Sequence, residues 1–269
     1  MINYNYIIYN IIIMIIITII IIILIFLFYF IFIKNKGNDN FTNQEKIPQI
    51  IHQIWIGPRK KPEKWMKQWE NDYIKMYPSY KYIFWNEEKI DNELNWTPKL
   101  RKMYDLEQEY YGKSDIARLI ILNQYGGIYI DSDSVWVNKK NLDDIIDIAY
   151  KENTNIFAGK EPNTEHIANG VMGSTANNQS LIYLLDELEK LSDDYVNIRN
   201  KEPVWVVTGP IFVNKVVGKF PFTVLPEKTF YPYNWHGRTK NDVKLLDNIP
   251  PESYMHQIGY TTNGGLDYD

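Results

Sequence analysis

Midway along this chain an apolar run, Ile116 to Leu122, is separated by Gly126-Gly127 from a short β-branched and aromatic run, Ile128-Tyr129-Ile130, which stops at Asp131-Ser132-Asp133. This juxtaposition constrains the fold more than any other feature. Ser114 reads as an N-cap, Asp115 suits a first turn and Gly126 lies where a helix ends, so the spacing predicts a helix from 114 to about 125. That helix would deliver the chain directly into a buried strand ending in two carboxylates. Side chains of extended chain alternate faces, so Asp131 and Asp133 are expected on one side of the strand end.

The flanking sequence repeats the alternation. Ile47 to Ile56 reads as a strand stopped by Gly57-Pro58, Glu63 to Tyr77 as an amphipathic helix ended by Pro78, and Tyr80 to Trp85 as a second strand. A short helix is expected over 99–109. Beyond Asp133 the pattern predicts strands at 135–137, 156–159, 167–172, 204–207, 222–225 and 230–233, and a late extended segment at 254–258. It predicts helices at 141–150, 178–191 and 210–217. Strands alternating with helices indicate an α/β domain with a mostly parallel sheet.

The remaining length is accounted for by one run. Ile11 to Ile33 is 23 residues without a charge, with Thr18 its only clearly polar member. As a helix it would be roughly 34 Å long, enough to cross a hydrocarbon core of about 30 Å. We expect a transmembrane anchor over 7–33, a polar stem over 34–46 and one globular domain over 47–269. Lys34, Lys36 and Lys46 follow the run and argue for a cytosolic domain, whereas Asn-x-Ser/Thr sequons at Asn40, Asn95 and Asn178 suit a lumenal one. A net charge of −4 with no basic block argues against nucleic acid as a partner. The absence of cysteine excludes disulfides and thiolate metal sites.

Two hard carboxylate ligands at a strand end suit Mg²⁺ or Mn²⁺. By itself the pattern is weak, because a chain with 17 Asp in 269 residues contains about one Asp-x-Asp by chance, and another stands at Asp267 and Asp269. Asp115 and Arg118, three apart on a helix, share a face and could bind sugar hydroxyls and an anionic oxygen. By spacing alone, a surface ion pair is the commoner meaning. Trp55, at the end of the first strand, could stack on a nucleobase. His52 reads as a core histidine. His256 could complete a metal site begun by carboxylates. Asn169-Gly170 and Thr208-Gly209-Pro210 suit loops near a ligand, and equally plain turns.

Together these residues resemble a known family. Ile-Pro-Gln-Ile-Ile-His-Gln-Ile-Trp-Ile-Gly at 47–57, Ser-Asp-x-x-Arg at 114–118, Gly-Gly-Ile-Tyr-Ile-Asp-Ser-Asp at 126–133 and Thr-Gly-Pro at 208–210 are similar to glycosyltransferase family 32. The likeness extends to initiating α-1,6-mannosyltransferases and inositol-phosphoceramide mannosyltransferases. It implies a GT-A fold, a nucleotide-sugar donor (a GDP- or UDP-sugar), Mn²⁺ or Mg²⁺, a glycan or glycolipid acceptor and retention of anomeric configuration, with mannose the first sugar to consider. It implies a lumenal, type II domain on a single-pass anchor.

By position, the resemblance makes Trp55 the base-stacking residue and Asp115 and Arg118 sugar-binding residues. Tyr129 and Asp131 become donor contacts, with Asp131 beside Asp133, the metal ligand. Asn169 becomes the donor-side asparagine and His256 the late histidine. One departure stands out: where the family carries a Ser-Trp pair after that histidine, this chain has Gly259-Tyr260-Thr261-Thr262-Asn263.

The expected activity is therefore a metal-dependent, retaining glycosyltransferase with Asp131, Asp133, Asp115 and Arg118 at its catalytic centre. One rival is a phosphatase of the haloacid-dehalogenase type with Asp131 as nucleophile, which usually stands close to the start of its domain. The other, motivated by the missing Ser-Trp, is a catalytically inactive membrane-tethered sugar-binding protein.

Overall fold

Five of the six strands in the central sheet run in one direction, and the sixth carries Asn169 and Gly170 back across its middle. The strands are β1 (Ile50–Ile54), β2 (Lys81–Trp85), β3 (Gly127–Ile130), β5 (Ile156–Lys160), β6 (Ile167–Ser174) and β7 (Thr223–Leu225), in the order β2-β1-β3-β6-β5-β7. β6 alone is antiparallel to its neighbours β3 and β5. A two-stranded ribbon pairs β4 (Ser134–Trp136) with β8 (Met255–Gln257). This is the mostly parallel α/β sheet that the alternation predicts.

The computed structural model describes residues 14–15, 17–24, 45–234 and 248–260. The chain forms two compact units, Met1–Gln44 and Glu45–Asp269. In the first, residues 14–15 and 17–24 are helical, and Met14, Ile15 and Leu24 are more than half exposed at 69, 54 and 58%. Among the described residues no helix is long and apolar enough to cross a membrane. Most of the expected anchor (7–33) and stem (34–46), like the Asp267/Asp269 pair, lies outside the described residues.

Helix α1 runs through Glu63–Lys67, a π-helical stretch Gln68–Tyr73, and Ile74–Met76. The wider π turn buries Trp69 and Tyr73, and Trp69 Nε1 donates to Ser134 O at 2.8 Å. This pins α1 to the chain just beyond Asp133. Next come α2 (Glu87–Glu93), α3 (Pro98–Leu106) and α4 (Tyr110–Tyr125), then α5 (Asp143–Lys151), α6 (Gln179–Glu189), α7 (Tyr195–Arg199), α8 (Val204–Val207), α9 (Pro210–Val217) and α10 (Glu227–Phe230). Asn86, Thr97 and Asn178 cap α2, α3 and α6 through side-chain oxygens, as their residue types favour.

Several elements depart from the periodicity. Helix α4 starts at Tyr110, a turn ahead of Ser114, because buried Glu107 anchors its entry. Glu107 accepts from Glu109 N, Arg199 Nε and Tyr195 Oη at 2.9, 2.7 and 2.5 Å. Tertiary contacts thus replace the cap. Val204–Val207, β-branched and expected as a strand, is a helical turn: Val204 and Val207, three apart, are buried, whereas Trp205 faces solvent at 55%. The run expected at 230–233 ends α10 and then continues without a strand. Helices α2 and α7 were not expected at all.

The glycine pair is required by close packing. Gly126 and Gly127 have φ of 64° and 98°, and a Cβ on Gly127 would lie 2.6 Å from Ile50 O. Only glycine lets the chain turn out of α4 and lie against β1. His52 sits beneath this turn, its Nε2 2.9 Å from Gly126 O and its Nδ1 accepting from Trp85 Nε1 at 3.1 Å. Burial lowers its pKa to about 4, so it is a neutral core histidine.

Candidate active site

β1 leads outward to β2 on one side and has β3 on the other, so the carboxyl ends of β1 and β3 flank a topological switch point. Ligands of open α/β sheets bind at such points. Trp55 follows β1 and Asp131 follows β3, and the two strand ends are stitched together there. Ser132 Oγ donates to Ile54 O at 2.8 Å, and Gln53 Nε2 to Asp131 O at 3.3 Å.

Around Asp131 a buried polar cluster assembles from three elements. Arg118, on α4, has Nη2 3.2 Å from Asp115 Oδ1 and 3.5 Å from Asp131 Oδ1, while its Nη1 donates to Asn169 O at 2.6 Å. Asn169 Nδ2, on β6, donates to Asp115 Oδ1 at 2.8 Å, and Thr208 Oγ1 donates to Asp115 Oδ2 at 3.3 Å. Tyr129 Oη, on β3, donates to Asp131 Oδ1 at 2.8 Å, and its ring lies 4.4 Å from the Arg118 guanidinium carbon. Asp115 and Arg118 are 6 and 4% exposed, so they are an interior pair within the helix body, not a surface pair at its start.

A buried ion pair persists only where its remaining polar atoms find partners, and here Asn169, Thr208 and Tyr129 supply them. Burial pushes the Asp115 carboxyl up to about 6, opposed by the Arg118 guanidinium. Gly170 completes the fit, since a Cβ there would lie 2.6 Å from Asp131 Oδ2.

Asp133 belongs to a second cluster, built from the late chain. Its Oδ1 accepts from Gln257 Nε2 at 2.5 Å and its Oδ2 from the Tyr260 main chain at 2.6 Å, while Ile258 N donates to its carbonyl at 3.1 Å. Gln257 Nε2 is also 3.5 Å from Asp131 Oδ2, so one amide spans the two carboxylates as the shared-face expectation requires. Burial, and then the charge of Asp131, raise Asp133 to about 7.

The structure does not bring His256 to the pair. Adjacent residues of β8 face opposite sides, and with Gln257 on the carboxylates the His256 ring lies against Tyr233, centroids 5.9 Å apart. Among the described residues no three His, Cys, Asp or Glu side chains gather as a metal site. The donor set that does gather is two carboxylates and an amide. All can offer hard oxygen, which fits Mg²⁺ or Mn²⁺ better than a thiophilic ion.

Trp55 is half-buried, with Nε1 donating to Arg59 O at 2.9 Å. Tyr260 packs beside it at 6.0 Å between centroids and against Trp65 at 5.7 Å. The segment in which Ser-Trp was missed therefore carries an aromatic ring to the Trp55 side of the site. Gln257, Tyr260 and Thr208 were not distinguished by sequence reasoning as contacts of the aspartates. Only Thr208-Gly209-Pro210 had left a signal, as a loop near a ligand or a plain turn and as one of the motifs that carry the family resemblance.

Comparison with known proteins agrees with this architecture. Residues 62–151 match the family described as glycosyltransferase sugar-binding region containing DXD motif. An uncharacterized glycosyltransferase of Acanthamoeba polyphaga mimivirus is 33% identical over 161 residues, 57% of this chain and 60% of that protein. Inositol phosphoceramide mannosyltransferase 3 of Schizosaccharomyces pombe is 29% identical over 180 residues, 65% of this chain and 46% of that protein. The aligned part thus spans 60 and 46% of these relatives' lengths. PaToxG glycosyltransferase shares the fold, with a TM-score of 0.50 at 22% identity over 64% of this chain and 69% of that one. The matched segment holds Asp115, Arg118, Tyr129, Asp131 and Asp133, so these residues of the polar clusters lie within the part of the chain that is similar to glycosyltransferases with a DXD-containing sugar-binding region.

Proposed function

We propose that this protein transfers a sugar, with retention, from a nucleoside-diphosphate donor to a glycan or glycolipid acceptor, on a GT-A scaffold tethered to a membrane by residues 7–33. The observation that carries the reading is the convergence of Asp115, Arg118, Asn169 and Asp131 at the switch point, next to Asp133. Asp115 and Asn169 would take the donor sugar's hydroxyls, Arg118 an anionic oxygen, and Trp55 the base. A divalent cation held by Asp131 and Asp133 would neutralise the diphosphate as it leaves. The likeness to inositol phosphoceramide mannosyltransferases makes GDP-mannose the first donor to test and an inositol-phosphate lipid the first acceptor.

The phosphatase alternative is disfavoured by Asp131 itself. Its Oδ1 accepts from Tyr129 and faces Arg118, contacts that an in-line attack on phosphorus from that oxygen would have to break. The decisive experiment is a screen of nucleotide sugars with Mn²⁺, reading diphosphate release by the full chain and by Asp133→Ala. We expect release from one class of donor, reduced at least about a hundredfold in Asp133→Ala. Equal release by both proteins would refute the assignment, and donor binding without release would make the protein a sugar-nucleotide binder.

A further inference from the structure

Gln257 touches both members of the Asp131/Asp133 pair, and a serine hydroxyl meets the other end of its amide. Its Nε2 donates to Asp133 Oδ1 at 2.5 Å and lies 3.5 Å from Asp131 Oδ2, while its Oε1 accepts from Ser134 Oγ at 2.5 Å. Gln257 and Ser134 are buried, at 7 and 0% exposure. An amide NH₂ directed at two carboxylates presents partial positive charge where a cation would sit.

With a divalent cation between the carboxylates, that NH₂ would face like charge. A half turn about the last side-chain torsion, which is broad and two-fold, brings Oε1 to the cation and Nε2 to Ser134 Oγ. The serine hydroxyl donates in the first orientation and accepts in the second, so neither end of the amide is stranded. β8 keeps the side chain on the carboxylate face in both, where His256 is not.

We infer that Gln257 is a cation ligand of this site, its carbonyl oxygen replacing its NH₂ when Mn²⁺ or Mg²⁺ binds. The inference rests on the metal reading above and deepens it. An oxygen ligand from the late chain then ties β8, and with it the Tyr260 segment, to the loaded state of the site.

Mn²⁺ binding by the detergent-solubilised full chain, followed through loss of the free-ion electron paramagnetic resonance signal, tests this without requiring turnover. Gln257→Ala removes the oxygen and should weaken binding about tenfold, the scale of a lost supporting group. Gln257→Glu replaces an amide oxygen with a charged one and should tighten it by a similar factor. Its metal-free form, holding three carboxylates, should melt lower than wild type and gain more from Mn²⁺. Binding by Gln257→Ala as tight as wild type would overturn the inference. So would a folded Gln257→Glu protein that gains no more from Mn²⁺ than wild type. Asp133→Ala separates the two levels, since Mn²⁺ binding undiminished there would bring down the metal reading itself.

Discussion

The two halves of the site are held by opposite means. The Asp115–Arg118–Asn169–Asp131 cluster is supported by α4, β3 and β6, all in the interior of the fold, and its members satisfy one another. Asp133 is held by Gln257 and Tyr260, more than 120 residues away in the chain, through a three-residue ribbon strand and the turn after it. The first half is preorganised in the sense that matters for charge stabilisation, because its geometry is fixed before a ligand arrives. The second lies outside the central sheet, on the β4–β8 ribbon, where by our inference a cation would take the place of hydrogen-bond donors. Under the proposed function, the first half would recognise the sugar and the second would hold the metal, a division that would suit a reaction that binds a charged donor and then releases a diphosphate.

The sharpest way to break this comparison is Arg118→Ala. Removing one member of a buried, internally satisfied pair should destabilise the fold by about 3–5 kcal/mol, measured by denaturant unfolding. Arg118→Lys should not rescue it, because one ammonium cannot reach Asp115, Asp131 and the Asn169 carbonyl together. A loss confined to activity would mean that the first half is less rigid than its contacts indicate. Trp55→Ala should weaken nucleotide binding by about 1–3 kcal/mol, the worth of one stacked base, with little change in Mn²⁺ binding by calorimetry.

The pH dependence of stability probes one carboxylate from each half. The folded protein holds protons on Asp133, raised to about 7, and on Asp115, raised to about 6, at pH values where the unfolded chain has released them. In that window the native state binds more protons, so stability falls as pH rises from about 4 to 7. Metal-free protein should therefore melt lower at pH 8 than at pH 5. Asp133→Asn should reduce the fall, and saturating Mn²⁺ should reduce it in wild type by taking the proton's place. A midpoint that rises across this range would show that the carboxylates are not held as described.

What the sequence revealed follows the same division. Asp115 and Arg118 are linked by the helical period and Asp131 and Asp133 by the strand period, so local spacing alone put each pair on one face. Burial was the hidden variable: the same spacing describes a surface ion pair, and only the sheet packed against α4 makes it an interior one. The start of α4 was misplaced because Ser114-Asp115 looks like a cap, whereas buried Glu107 and its partners on α7 set the true start. Val204–Val207 has strand residue types but becomes a helical turn that buries Val204 and Val207 together. Gln257 and Tyr260 gave no sign, because nothing in a sequence registers a three-residue strand against another 120 residues away. His256 looked the better ligand by chemistry, and the alternation of β8 turned it from the pair.

The claim that the two halves meet on one donor is tested most directly by thermodynamic linkage between metal and nucleotide. Isothermal titration of the full chain with GDP and with UDP, in EDTA and in saturating Mn²⁺, measures it. The account predicts that one nucleoside diphosphate binds at least about tenfold tighter with Mn²⁺, and that Mn²⁺ binds tighter by the same factor with the nucleotide. It also predicts that the coupling disappears in Asp133→Ala. Nucleotide affinity that is the same in EDTA and in Mn²⁺ would contradict it.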